Sequence, residues 1–314
     1  MAKQTDNTPA LEFRHVSQSF NEKRVLSDIT FKLERGEMIF ITGVSGSGKS
    51  VLLRLAMALE HPDSGQVLIE GQDVGLLSEV ELLDLRGSRM GIVFQEDSLF
   101  TGLNVYDNVA YRLVEHGVKD DETETSVMEV LRFVGLDHDA EKLPAELSGG
   151  MRRRLEIARA LIGWPSIMLF DEPAAGLDPL TAIQVLDLIV RARDVYGISS
   201  LYVTKKLDEM PYLATHRAVQ SSSGVIIEEV TPKTAPLTRV MVLDEGRIAF
   251  TGSVGEFEIN PLLAVARLTQ ADNGRRSRIF PSRTPGTRAA NRAKEYCDQA
   301  RRFASLRSRF QQPC

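Results

Sequence analysis

A chain of 314 residues with 43% hydrophobic and 26% charged side chains has room for one large α/β domain or two smaller ones, and its composition is that of an ordinary soluble protein. The start, Met1 to Asn7, lacks an apolar leader core, no run approaches the roughly 18 apolar residues of a membrane span, and Cys297 and Cys314 offer neither a disulfide framework nor metal-ligand spacing, so a cytosolic protein is expected. The net charge of −5 conceals an acidic body and a basic end: eleven Lys/Arg between Arg275 and Arg309 stand against Glu295 and Asp298, a balance of +9 that leaves −14 elsewhere, which excludes a uniform nucleic-acid-binding surface.

Leu11 to Val16 and Ile29 to Leu33 alternate apolar and polar residues, as half-buried strands do. Between them, Ser19-Phe20-Asn21-Glu22 reads as a turn. Phe20 is either a core aromatic or a flat platform on which a base stacks. The apolar run Met38-Ile39-Phe40-Ile41 predicts a buried strand. It leads into Gly43-Val44-Ser45-Gly46-Ser47-Gly48-Lys49-Ser50, which fits the G-x-x-x-x-G-K-[ST] phosphate-loop pattern at every fixed position. Val51, Leu52, Leu53, Leu55, Ala56 and Leu59 then recur at helical spacing. Strand, loop and helix together make a cradle whose N–H groups and helix dipole face a phosphate, with Lys49 serving the β/γ-phosphates and Ser50 coordinating Mg²⁺. Pro62-Asp63-Ser64-Gly65 predicts a turn and Gln66 to Gly71 a short strand.

Gly91-Ile92-Val93-Phe94-Gln95 predicts a strand ending in a polar residue, and residues 104–143 carry a helical pattern without strand signals, a helical insertion in an α/β domain. Leu147-Ser148-Gly149-Gly150-Met151 then opens a helix from Arg152 to Ile162, its Ser-Gly-Gly step a second potential anion site. Ile167-Met168-Leu169-Phe170 predicts a strand buried on both faces that ends in Asp171-Glu172. Carboxylates at a dry strand end are costly unless they have work to do. Beside a phosphate loop, Asp171 is assigned to the Mg²⁺ shell and Glu172 to polarising the attacking water. Ala175 to Pro179 predicts a turn, with Pro179 opening the next helix.

Taken in order, these motifs resemble the nucleotide-binding domain of ATP-binding cassette (ABC) transporters over roughly residues 11–252. The resemblance implies a P-loop NTPase of the α/β class with an N-terminal antiparallel β-subdomain and an inserted helical subdomain. It places the ATPase domain at 11–268 and the helical part at about 97–160. It further implies a head-to-tail homodimer with ATP between one phosphate loop and the partner's signature. Phe20 would then stack on adenine, and Gln95 would link Mg²⁺ to the transporter interface. Ser148 and Gly150, flanking Gly149, would meet the partner's γ-phosphate, and Asp178 would belong to the D-loop. The stretch from Phe94 to Tyr111, with Met151, is similar to the ATPases of the maintenance-of-lipid-asymmetry and mammalian-cell-entry (MCE) phospholipid transporters. That similarity implies integral-membrane permease subunits, an MCE-type lipid-binding partner and a place on the cytoplasmic face of the inner membrane. The alternatives are a transporter for another substrate and a nucleotide-sensing module that hydrolyses poorly.

Three departures stand out. Val51 replaces a frequent second hydroxyl, leaving backbone N–H groups for the α-phosphate. Lys205, in Val203-Thr204-Lys205-Lys206, occupies the place of the switch histidine. An ammonium there would clamp the γ-phosphate or pair with Glu172, either way favouring closure over rapid hydrolysis. Residues 218–238, with Ser221-Ser222-Ser223-Gly224, Pro232 and Pro236, have the composition of an inserted surface loop ahead of a closing hairpin at Arg239 to Ile248. Beyond a linker, residues 269–314 form a basic tail in which Ala293, Tyr296, Cys297, Ala300, Phe303 and Ala304 trace an apolar helical stripe. A neighbouring protomer or a membrane surface is its expected target.

Overall fold

The computed structural model describes residues 8–221, 224–230 and 236–259. Strands β1 (Leu11–Phe20), β2 (Lys23–Leu33) and β3 (Met38–Gly43) lead to helix α1 (Lys49–Ala56), and β4 (Ser64–Ile69) and β5 (Gln72–Asp73) precede α2 (Glu79–Arg89) and β6 (Met90–Val93). Helices α3 (Val105–Glu115), α4 (Asp120–Val134) and α5 (Gly149–Leu161) follow, then β7 (Ile167–Asp171), α6 (Pro179–Tyr196), β8 (Ser199–Val203) and α7 (Glu209–Thr215). The described chain closes with β9 (His216–Ser221), β10 (Gly224–Glu229), β11 (Thr238–Asp244), β12 (Arg247–Gly252) and α8 (Val254–Ile259).

Six strands form a sheet in the order β12-β11-β3-β8-β7-β6, parallel except for β12. Its inner strands read as unbroken apolar runs because both faces are covered. Met38 and Phe40 of β3, Met168 and Phe170 of β7, and Val240 and Val242 of β11 enter a core shared with α3 to α7. Their alternates Ile39, Ile41, Ile167, Leu169, Met241 and Leu243 enter a second core with α1, α2 and the N-terminal strands. The period of two thus sends one strand into two cores. The N-terminal strands form an antiparallel sheet in the order β2-β1-β4-β5, in which Phe13 and Phe31 stack at 4.8 Å.

Most predicted elements lie where the pattern puts them, but β1 runs on to Phe20 and β2 starts at Lys23, so the turn predicted over residues 19–22 narrows to Asn21 and Glu22. β4 begins at Ser64, inside the predicted turn, and β6 ends at Val93, so Gln95 lies beyond the strand. Helix α2 has a local start signal, a capping box in which Ser78 and Glu81 satisfy one another's backbone N–H groups.

The inserted loop differs as well. Over its described residues it is a hairpin, β9 paired antiparallel with β10 from His216↔Glu229 to Ser221↔Gly224. Polar composition predicts a loop here, but in the ladder Ala218 pairs with Ile227 and Val219 with Ile226. α6 anchors it: Arg193 donates through Nη1 to Leu213 O (2.6 Å) and through Nη2 to His216 O (2.7 Å), and Asp194 accepts Ala218 N–H (2.8 Å). The strands leave and return together, since Val230 N–H donates to Thr215 O at 2.7 Å. The basic tail expected at 269–314, with both cysteines, lies outside the described residues. Among the described residues no helix is long and apolar enough to cross a membrane.

Candidate active site

All six residues of β3 are buried, and β11 and β8 flank it, so the loop after Gly43 emerges from the middle of the sheet. Glycine is required at both ends of that loop. Gly43 has φ 152°, and a Cβ there would lie 2.2 Å from Leu243 O; Gly48 has φ 104°, and a Cβ would lie 2.5 Å from Leu26 Cδ2. Gly48 is also the N-cap of α1, which has no side-chain cap and no acidic residue in its first turn, leaving its leading N–H groups available to an anion. The Ser47 hydroxyl is buried without a hydrogen-bond partner among the described residues. Lys49, itself buried, folds back over the loop and donates to Gly43 O at 2.8 Å and Val44 O at 2.9 Å. Burial, and then the nearby Lys205 ammonium, push the Lys49 amine below the usual lysine range, against the opposite pull of Glu172 and Asp171. Ser45, Gly46 and Ser50 are exposed, whereas the Val51 side chain belongs to the core and can offer only its backbone.

The carboxylates meet the switch segment by sheet register, because β7 pairs with β8 so that Asp171 lies opposite Val203. Glu172 turns away at φ 49°, an uncommon conformation for a non-glycine residue, with its N–H donating to Val203 O at 2.9 Å. Its carboxylate is paired: Lys205 Nζ lies 2.6 Å from Glu172 Oε1, with the glutamate side chain 13% exposed and the lysine 50%. Burial pushes the Asp171 carboxyl above the ordinary range, Glu172 adding to the effect and Lys205 and Lys49 opposing it. Two ammonium groups and two carboxylates therefore share the ends of three adjacent strands.

Ser50 and Asp171 supply hard oxygen donors, which suits Mg²⁺. Among the described residues no group of three or more His, Cys, Asp or Glu could hold a metal by itself. A site of so few protein donors fits an ion whose remaining ligands are phosphate oxygens and water.

The other predicted residues stand apart. Phe20, at the end of β1, is 39% exposed with the Arg54 guanidinium 6.0 Å from its ring centroid. Gln95 exposes its side chain while its carbonyl accepts Arg153 Nη2 at 3.1 Å; Arg153 also donates to Phe94 O at 2.7 Å and pairs with Glu156 at 2.6 Å. That buried Arg153–Glu156 pair, which ties α5 to the segment after β6, has no signature in the motif pattern. Ser148 caps α5, accepting Met151 N–H at 3.3 Å. Gly150 abuts α6, where a Cβ would lie 2.4 Å from Thr181 Cγ2, and exposed Gly149 has open space around it. Asp178 caps α6 through Leu180 N–H and Thr181 N–H, both at 3.1 Å, and the Thr181 hydroxyl holds its carboxyl below the ordinary range. Among the described residues no hydrogen bond or ion pair joins Ser148–Gly150 to the phosphate loop.

A protein-family model described as ABC transporter matches residues 26–175. The chain is 37% identical over 260 residues to the methionine import ATP-binding protein MetN of Leifsonia xyli subsp. xyli, covering 82% of this chain and 69% of that protein. It is 32% identical over 261 residues to the methionine import ATP-binding protein MetN 1 of Staphylococcus aureus (strain USA300), covering 82% and 70%. Among solved structures it is similar to the dimeric post-hydrolysis state of the ATP-binding cassette MJ0796 bound to ADP and Pi, with a TM-score of 0.64, 25% identity, and coverage of 78% of this chain and 98% of that one.

Proposed function

The chain belongs to the family of ABC transporter ATP-binding proteins and hydrolyses ATP, and from that premise we propose that Glu172 is the carboxylate that takes a proton from the attacking water while Lys49 and the loop N–H groups hold the phosphates. The observation that carries this reading is the placement of Glu172 and Lys205, 2.6 Å apart, at the strand ends beside the phosphate loop. Ser50 and Asp171, with Gln95 reaching from beyond β6, would hold Mg²⁺, which when bound neutralises charge on the phosphates. Phe20 serves as the adenine platform. Ser148 to Gly150 and Asp178 act on nucleotide held by a second copy, which accounts for their lying apart from this chain's own loop. The assembly is a homodimer against permease subunits at the cytoplasmic membrane face.

For the substrate, the similarity to methionine import proteins extends over 82% of the chain, whereas the phospholipid reading, with its MCE-type partner, rests on residues 94–111 and Met151. Amino-acid import is therefore the first reading and phospholipid movement the second. Affinity purification from detergent-solubilised membranes, followed by reconstitution and parallel assays of labelled methionine and labelled phospholipid, separates them. Methionine uptake supports the first and phospholipid movement the second. Transport of neither by a stoichiometric permease complex points to another substrate, and the absence of any permease to a sensor.

Lys205 divides engine from sensor. As its ammonium sits on the carboxylate that must accept a proton, it competes with the water for that lone pair. Lys205→His is expected to raise steady-state phosphate release several-fold, roughly a 1 kcal/mol effect, and Lys205→Ala to weaken ATP-driven dimerisation. A slower Lys205→His enzyme would make the lysine an adapted catalytic part and remove the main support for a sensor.

A further inference from the structure

The residue after Lys205 is also a lysine, and it grips the other side of the same turn. Lys206 Nζ donates to Ala174 O at 2.9 Å, two residues beyond Glu172. Its backbone is fixed in turn: Lys206 N–H donates to Thr204 Oγ1 at 2.9 Å, and the Thr204 hydroxyl donates to Glu209 Oε2 at 2.8 Å. The same oxygen accepts the hydroxyl of the fully buried Tyr202 at 2.8 Å. Glu209 is 3% exposed, and its Oε1 lies 3.9 Å from Lys206 Nζ. Burial pushes the Glu209 carboxyl upward, opposed by the two hydroxyls and by Lys206.

A buried carboxylate is costly without a countercharge, and the ammonium of Lys206 is the cation nearest to hand. The arrangement does two things at once. It supplies that countercharge and, with the same ammonium, ties the backbone between Glu172 and Asp178 to the switch segment. Ammonium-to-carbonyl bonds are among the stronger hydrogen bonds, and this one spans 32 residues of sequence.

We propose that Lys206 is a positioning residue for ATP hydrolysis: anchored through Thr204 and Glu209, it holds the Ala174 carbonyl and so fixes the turn that carries Glu172 toward the nucleotide. The inference rests on the assignment of Glu172 made above. Lys206 is exposed at the surface, so replacing it leaves the core intact.

The test compares Lys206→Met, which keeps the stem and loses the donor, with Lys206→Arg, which keeps a cationic donor, in the full chain. ATP titrations of steady-state phosphate release and thermal melts are the readouts. Lys206→Met is expected to lower kcat about tenfold, the scale of one charge-assisted hydrogen bond, with KM for ATP within about twofold of wild type. Removing the Glu209 countercharge should also lower the melting temperature modestly, and Lys206→Arg should recover most of the lost rate. A wild-type kcat for Lys206→Met overturns the proposal. So does a loss of activity that lies in KM for ATP and not in kcat, or one that arginine fails to restore. Glu172→Gln in parallel keeps the two ideas apart: if it is inactive while Lys206→Met is normal, only the role of Lys206 falls, and if it is fully active, the Glu172 assignment itself fails.

Discussion

Glu172→Gln is expected to bind ATP as tightly as wild type and to release phosphate about 10²- to 10⁴-fold more slowly, the usual range for removing a general base. The amide fills the same space, so the turn after β7 is kept, but it cannot accept the proton of the attacking water. It also cannot attract an ammonium as a carboxylate does, so the 2.6 Å pair with Lys205 is lost. The free ammonium is then available to the nucleotide, and the ATP-bound form should accumulate as a dimer that outlasts that of wild type. Phosphate release and size-exclusion chromatography with ATP check both halves. A variant that turns over at the wild-type rate, with contaminating ATPase excluded, would remove Glu172 from the mechanism.

Lys49→Ala acts on the opposite side of the cycle. It is expected to weaken ATP binding by about 10- to 150-fold, corresponding to roughly 1.5 to 3 kcal/mol for a charged hydrogen-bonding group. The loop should also lose order, because Gly43 O and Val44 O each accept a bond from Lys49 Nζ. Arginine is not expected to rescue it, since a planar fork does not fit a pocket that holds a compact ammonium on two carbonyls. Titration with a fluorescent nucleotide reads the affinity, and an unchanged Kd would mean that the lysine serves only the loop's own backbone.

How much of this was legible in the sequence follows from how local each feature is. The phosphate loop is contiguous, and each fixed position answers to its own geometry or charge, so Gly43, Gly48 and Lys49 could be placed without a fold. The Glu172–Lys205 pair needed one more step, the adjacency of two parallel strands, and that was available as one of two stated options. Lys206 was not readable in this way, because its partner is the carbonyl of Ala174, and a backbone acceptor leaves no mark on residue identity. Arg153 was hidden for the same reason, as its bonds run to Phe94 O and Gln95 O. The start of α2 was readable in principle, since Ser78 and Glu81 have capping-box spacing. The hairpin was masked by serines and prolines that outweighed its two short apolar stretches.

The hairpin of β9 and β10 is a detour that closes on itself. Since Thr215 and Val230 are hydrogen-bonded neighbours, excising residues 216–229 would ask for almost no movement of the two cut ends. By connectivity alone, the segment could be cut out and the chain rejoined. Chemistry forbids so clean a cut. Arg193, 3% exposed with the hairpin in place, would lose the His216 carbonyl and Asp194 the Ala218 N–H, although the two keep each other through bonds of 2.7 and 2.9 Å. Each lost bond costs about 1 to 3 kcal/mol where no water takes the place of the hairpin. The detour and its two anchors on α6 are thus coupled through two bonds, those to His216 O and Ala218 N–H.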